Sequence, residues 1–331
     1  MKSLQRLGNE VFPVDLTPFY AWGGRFVGYP FRKMSWGPPI WLLNLEILNQ
    51  AKRQMADVIW IDKGSWVAQR TLLELRALGS PLIVHYTPDP ALTKTYRSKY
   101  FADAIPQYDL LVTTKSYEID EHRRLGASQI LFQQQGYDSE FMKPEKPSAA
   151  EEPLFRSDVA FIGHWEPNRE LACTRVLALG VELAIWGPAW VRNCRDKRLL
   201  KEAWRGHHLA NREYALGWSC ARIGLGFLSK YAFDKTTTRT FEIPACGTLM
   251  LAERTEEHLE LFKEGVEAIY FSDDDELVEK IEYYLAHEDL RARIASAGRA
   301  RCINSDYSLD ARMKKILEAI RKMRAFAVSP G

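Results

Sequence analysis

The segment Phe233 to Leu251, FDKTTTRTFEIPACGTLML, holds the densest set of residues able to do chemistry. Thr236, Thr237 and Thr238 stand where a helix is expected to begin, with Arg239 just inside it. The first amides of a helix lack intrahelical acceptors and carry partial positive charge, so such a start suits a phosphate. Glu242, one turn further on, is placed to accept hydrogen bonds from the two hydroxyls of a ribose, and Asp234 lies eight residues before it. Gly247 closes the helix. The same residues also suit a threonine-capped helix with a solvated Glu and a glycine C-cap. Spacing alone leaves both readings open.

Apolar periodicity supplies the elements that must position these residues. Val11–Val14, Val58–Asp62, Leu82–Tyr86, Leu110–Thr113 and Ile130–Phe132 read as strands, separated by helical stretches at Ile40–Met55, Val67–Leu78 and Ser116–Leu125. Continuous rather than alternating apolarity marks strands buried on both faces, and hence a parallel sheet. Met142–Pro153, with three prolines among polar residues, reads as a linker. The alternation then resumes. Strands are expected at Val159–Ile162, Val181–Trp186, Ile223–Leu228, Thr248–Ala252 and Ala268–Phe271, and helices at Pro167–Leu179, Arg212–Cys220 and Thr237–Cys246. The tail Asp273–Met323 reads as helical, with breaks at Gly298 and around Asn304–Tyr307. Leu309, Met313, Ile316, Leu317 and Ile320 recur at helical spacing and need a surface to cover, expected to be the first domain. The fold class is therefore α/β, with domains at 1–145 and 146–331. Ligands of such sheets bind beyond the carboxyl ends of the strands.

Composition narrows the class. The 331 residues are 46% hydrophobic and 27% charged, ordinary for a globular protein. Forty-five Lys and Arg against 43 Asp and Glu leave a net charge of +2, so no basic field favours nucleic acid. No run approaches the roughly 20 apolar residues that span a bilayer. The five cysteines are scattered without metal-ligand or disulfide spacing, which suits a reducing cytoplasm and no metal.

From Arg239 onward, "RTFEIPACGTLMLAERTEEHLELFKEGVEAIYFSDDDELVEKIEYYLAHEDLRARIASAGRAR" resembles the glycosyltransferase group 1 domain of CgeB-like spore maturation proteins. Upstream, "VIWIDKG", "HYTPDP", "TTK" and "GYDSEFMKP" stand in the order of that group. The resemblance implies a GT-B fold: two Rossmann-like doubly wound domains facing across a cleft, the first binding an acceptor and the second a nucleotide diphosphate sugar. It implies that Glu242 holds the donor ribose, that the backbone of Thr236, Thr237 and Thr238 holds the diphosphate with Arg239 adding charge, and that Asp234 faces the sugar. In "FIGHWEPNRE", Gly163 and Arg169 match the glycine and basic residue that relatives bring to the diphosphate, Arg169 stabilising the leaving group. His164 and Trp165 in the same loop are placed to pack on the sugar.

At strand ends of the first domain, Asp89 and His85 are candidate general bases for an acceptor hydroxyl, and Lys63 and Lys115 are candidate anion contacts. Polar loop residues explain the same positions equally well. Trp186 and Trp190 read as core, Gly224-Leu225-Gly226 as part of a strand, and Asp273 with Glu276 as a capping box. Members of the resembled group begin with a strand and glycine turn before a segment like Ser3–Leu7, and that first strand is expected to be missing here. The expected activity is metal-independent, cofactor-free transfer of a sugar to an acceptor, with retention of configuration. The alternative is a non-catalytic binding or assembly protein on the same fold.

Overall fold

The structure, a computed structural model, describes residues 1–93 and 97–328, apart from the side chains of residues 25, 26, 32, 33 and 326–328. It comprises two compact units, Met1–Gln134 with Arg312–Gly331, and Gln135–Ala311. The sequence reading divides the chain at 145/146 instead. Residues before that point join the second unit because Tyr137 and Met142 are buried in its core and the Tyr137 amide donates to the Tyr307 carbonyl at 3.2 Å.

The first unit is built on four parallel strands, β1 (Val58–Asp62), β2 (Leu82–Thr87), β3 (Leu110–Thr113) and β4 (Ile130–Phe132), in the order β1-β2-β3-β4. Successive side chains of a strand point to opposite faces, and β2 shows the consequence. Ile83 packs with Leu72, Leu75, Phe101 and Tyr108, while Val84 packs with Leu110, Val112 and the tail residues Met313, Ile316 and Ile320. The tail helix Leu309–Val328 thus lays its apolar stripe on this sheet from Arg312 onward. Val11–Val14 is not a strand. The segment is short and largely exposed, and Pro13 removes a ladder donor. Short helices at Lys2–Arg6, Thr17–Ala21 and Gly24–Met34 precede the long helix Pro38–Gln54.

The second unit has six parallel strands: β5 (Ser157–Ile162), β6 (Leu183–Trp186), β7 (Trp204–Gly206), β8 (Ala221–Gly226), β9 (Leu249–Glu253) and β10 (Ile269–Phe271). Their order, β10-β9-β8-β5-β6-β7, runs outward in both directions from the β5–β8 pair. This is a doubly wound sheet with its topological switch point between β5 and β8. Gly224 lies inside β8, where a Cβ would stand 2.7 Å from Ile243. Its role is close packing. Gly298 does not break the tail. It sits within the helix Glu288–Asn304, where a Cβ would lie 2.3 Å from the Glu267 carbonyl oxygen, so the helix needs a bare backbone there to approach that loop. One break falls at His287, and the expected one around Asn304–Tyr307 is present, the helix ending at Asn304 and the next starting at Leu309.

Candidate functional site

Two chain segments leave the switch point of the second unit. The first follows β5, runs through Gly163, His164 and Glu166, and enters the helix Pro167–Ala178. The second follows β8 and reaches the helix Arg239–Ala245 through Asp234 and the three threonines. The close approach of two backbones fixes the first segment. The Gly163 amide donates to the Trp186 carbonyl at 2.9 Å, and the Trp190 indole donates to the Gly163 carbonyl at 2.9 Å. Gly187, at φ 146°, passes so near that a Cβ would lie 2.0 Å from the Gly163 oxygen. A Cβ on Gly163 would meet the Phe161 ring at 2.6 Å and the Arg239 Nη2 at 3.0 Å. Arg239 joins the two segments by donating from Nε to the Ile162 carbonyl at 2.7 Å.

Arg169 has a different place from the one expected of a phosphate ligand. It is 1% exposed, and its guanidinium is engaged beneath the loop. Nη2 pairs with Glu166 at 2.9 Å and Nη1 donates to the His164 carbonyl at 3.0 Å. Burial pulls its pKa down to about 10, with the Glu166 charge opposing. Glu166 is itself fully buried, and burial alone would raise its pKa. Hydrogen bonds from His164 and the Lys230 amide, with the Arg169 charge, hold it below the usual value instead. His164 stays half-exposed, its Nε2 2.9 Å from Glu166 Oε1. The pair therefore makes a rigid floor from which His164 projects.

The threonine turn begins later than its sequence suggests. Thr238 is the N-cap residue and Arg239 the first helical one, with no side-chain cap bond. The amides of Phe241 and Glu242 already donate to the Thr238 carbonyl at 2.9 Å, and that of Thr240 donates to Thr237. The Thr237 amide donates to Thr240 Oγ1 at 3.1 Å, and Thr240 Oγ1 lies 2.9 Å from His258 Nε2. His258 Nδ1 lies 2.7 Å from the Glu253 carbonyl, an acceptor only, so Nδ1 carries the proton and Nε2 accepts from Thr240. This relay requires a neutral ring, and burial lowers the His258 pKa to about 4. Thr236 is buried with its hydroxyl 3.4 Å from Glu257. Glu242 accepts from the Tyr214 hydroxyl at 2.8 Å. Burial raises the Glu242 pKa, partly offset by the Tyr214 bond and the Arg239 charge. Asp234 lies partly buried on the approach to the turn, its amide donating to the Ser229 carbonyl at 3.2 Å.

The second unit thus gathers Gly163, His164, Asp234, Thr236, Thr237, Thr238, Arg239 and Glu242 around its switch point. Sequence reasoning missed Glu166, Tyr214, His258 and Glu253. Glu253 accepts from the Leu228 amide at 2.9 Å and pairs with Lys230, anchoring the loop after β8. Trp186 and Trp190 are core, and the Asp273 carboxylate caps the next helix by accepting from the Asp275 and Glu276 amides.

In the first unit His85 is corrected as a base. Its ring is fully buried, stacked on Phe101 at 4.3 Å with the Tyr108 ring tilted against it at 5.0 Å, and burial lowers its pKa to about 3. A ring so enclosed has no route to an acceptor hydroxyl. Asp89 stays half-exposed at the end of β2 and pairs with Lys63 at 2.5 Å. Lys115 is buried. Among the described residues no group of three His, Cys, Asp or Glu could hold a metal ion, and no helix is long and apolar enough to cross a membrane.

Residues 169–318 match a family model described as glycosyl transferase-like. No curated protein matches the sequence significantly. Among solved structures, the Anabaena protein HepE in complex with UDP and glucose is similar over 85% of this chain and 82% of its own, at 14% identity and a TM-score of 0.63. Sucrose-phosphate synthase from Thermosynechococcus elongatus matches over 92% and 82%, at 13% identity and a TM-score of 0.65. The α,α-trehalose 6-phosphate synthase of Burkholderia multivorans matches over 96% and 81%, at 13% identity and a TM-score of 0.63. With its Rossmann-like parallel sheets and these neighbours, the chain has the GT-B fold of glycosyltransferases.

Proposed function

We propose that the protein is a glycosyltransferase of the CgeB-like kind, moving a sugar from a nucleotide diphosphate sugar to an acceptor hydroxyl. The carrying observation is the convergence, at one switch point, of the Gly163–Glu166 loop and the Thr236–Glu242 turn, tied by the bond from Arg239 to Ile162. The Thr238 and Arg239 amides, with the Arg239 side chain, hold the diphosphate. Glu242, four residues past Thr238, takes the ribose hydroxyls, and His164 and Asp234 meet the sugar. Arg169 acts as a positioning residue through the loop it anchors. The first unit, with Asp89 and Lys63 at its strand ends, serves the acceptor.

In the reaction the bond from the anomeric carbon to the diphosphate oxygen breaks and the acceptor oxygen bonds to that carbon. The departing diphosphate takes the acceptor proton on the same face, so configuration is retained. Developing charge on the diphosphate is met by fixed donors that need no reorganisation. No metal or other cofactor takes part, and the enzyme works in the cytoplasm. UDP-glucose is the first donor to try, because HepE was solved with it.

The test is donor hydrolysis by the full chain, followed by proton NMR with and without EDTA. Release of UDP and α-glucose, unaffected by EDTA, supports the proposal. No release from a panel of nucleotide sugars, together with no thermal shift from any nucleoside diphosphate, refutes it. Ligand at about 100 times its dissociation constant should add about 2.7 kcal/mol of stability.

A further inference from the structure

The helix Pro38–Gln54 is apolar on two faces. Ile40, Leu43, Ile47 and Leu48 turn into the first unit, where they pack with Trp66 and the β1–β2 core. Trp41, Leu42 and Leu45 point outward and are exposed, Trp41 at 56%. A surface helix ordinarily keeps its outer face polar. The exposed apolar surface continues upstream. Trp41 stands edge-on to Trp36 at 5.5 Å, Trp36 lies 6.3 Å from Phe31, and Phe31 stands 5.4 Å from Trp22. Val27, Tyr29 and Met34, on the helix Gly24–Met34, are also exposed, Met34 at 72%. Exposed apolar residues clustered on two adjoining helices in this way mark an interaction surface.

Charge identifies what covers it. Residues 16–55 hold five Lys and Arg (Arg25, Arg32, Lys33, Lys52 and Arg53) against one acid, Glu46. The whole chain is only +2, so the remainder carries a small negative balance. Positive charge is therefore concentrated in the segment that exposes Trp and Tyr. A second copy docked through this face would set two segments of net positive charge against each other, since a twofold interface sets the same surface against itself. A layer of anionic headgroups over acyl chains matches both features. Trp and Tyr rings favour the headgroup level, and basic residues gain from the negative surface potential.

We propose that this face seats the protein on the surface of an anionic lipid bilayer, lying on it without spanning it. The test is co-sedimentation of the full chain with vesicles of phosphatidylcholine alone and of phosphatidylcholine with about one-quarter phosphatidylglycerol. Binding is expected to the anionic vesicles and to weaken as salt rises to about 0.5 M. The variant Trp41→Gln/Leu45→Gln should bind about tenfold less or weaker still, and Lys52→Glu/Arg53→Glu should lose the preference for anionic lipid. Each changes exposed positions, and an unchanged melting profile confirms that the fold is retained. Absence of binding to anionic vesicles, or equal binding by the variants, overturns the proposal. So does a dimer in sedimentation velocity that Trp41→Gln/Leu45→Gln disperses, which would assign the face to a second copy.

Discussion

Replacing Glu166 by Gln tests the buried floor of the candidate site. Glu166 is fully enclosed and holds the Arg169 guanidinium at 2.9 Å, His164 at 2.9 Å and the Lys230 amide at 3.1 Å. Removing one charge of a buried pair leaves the other uncompensated, a loss of about 3–5 kcal/mol. Glutamine keeps the shape and one acceptor for the amide, so the lower figure, about 3 kcal/mol, applies to Glu166→Gln. Arg169→Met leaves Glu166 with its His164, Ser229 and Lys230 donors and should cost about 2–3 kcal/mol. The double variant removes both charges together and should cost about 1–2 kcal/mol, giving a coupling of about 4 kcal/mol. The assay is urea denaturation followed by tryptophan fluorescence, to which the second unit contributes Trp165, Trp186, Trp190, Trp204 and Trp218 beside five tryptophans of the first. With a slope of about 2 kcal/mol per molar urea, Glu166→Gln should move the midpoint by about 1.5 M. A shift below about 0.3 M, or additive single effects, would refute the buried-pair account of this loop.

Gly187→Ala must push a Cβ that would lie 2.0 Å from the Gly163 oxygen, at φ 146°, and should cost about 3 kcal/mol or more, read as a lower melting temperature. Ile316→Ala empties a fully buried site where the tail helix meets the first sheet and should cost about 3 kcal/mol, read by denaturant unfolding of the first unit. Acid should weaken the fold. His85, His122 and His258 have pKa values pushed down to about 3, 4 and 4 by burial, so the unfolded chain binds their protons first. The stability these neutral rings allow is complete above about pH 6.5 and is lost as pH falls toward 4, with His258 alone accounting for about 3 kcal/mol. Melting temperatures measured across that range check the slope.

All strands but β7 were legible because β1–β4 and the central strands β5, β8 and β9 are continuous apolar runs, a pattern that the short β7, Trp204–Gly206, lacks. Val11–Val14 imitated such a run, but Pro13 and its exposure denied it a partner. The helices between Thr17 and Met34 escaped notice because the first is only five residues long and the second carries Pro30 inside it, a residue that reads as a helix breaker. Gly298 misled for a different reason. A glycine required by a close contact looks in sequence the same as one required by a turn. The threonines, Arg239 and Glu242 of the candidate site could be proposed from sequence because they are neighbours in it. Tyr214 and His258 complete the turn from 28 and 18 residues away, and Glu166 reaches the Lys230 amide across 64. No local pattern announces such partners. Arg169 was legible as a cation at the right strand end, but its commitment to Glu166 depended on burial.

Calorimetric titration of UDP into the wild type and Glu242→Ala measures the central claim, that the second unit holds a nucleotide diphosphate at its switch point. Loss of one charge-assisted hydrogen bond to the ribose, at about 1.5 kcal/mol or more, corresponds to more than a tenfold rise in Kd. Tyr214→Phe serves as the control, because it removes the hydroxyl that donates to Glu242 at 2.8 Å but leaves the carboxylate in place. The account predicts UDP binding by the wild type, at least tenfold weaker binding by Glu242→Ala with the fold intact, and near-normal binding by Tyr214→Phe. Equal dissociation constants for wild type and Glu242→Ala would contradict it.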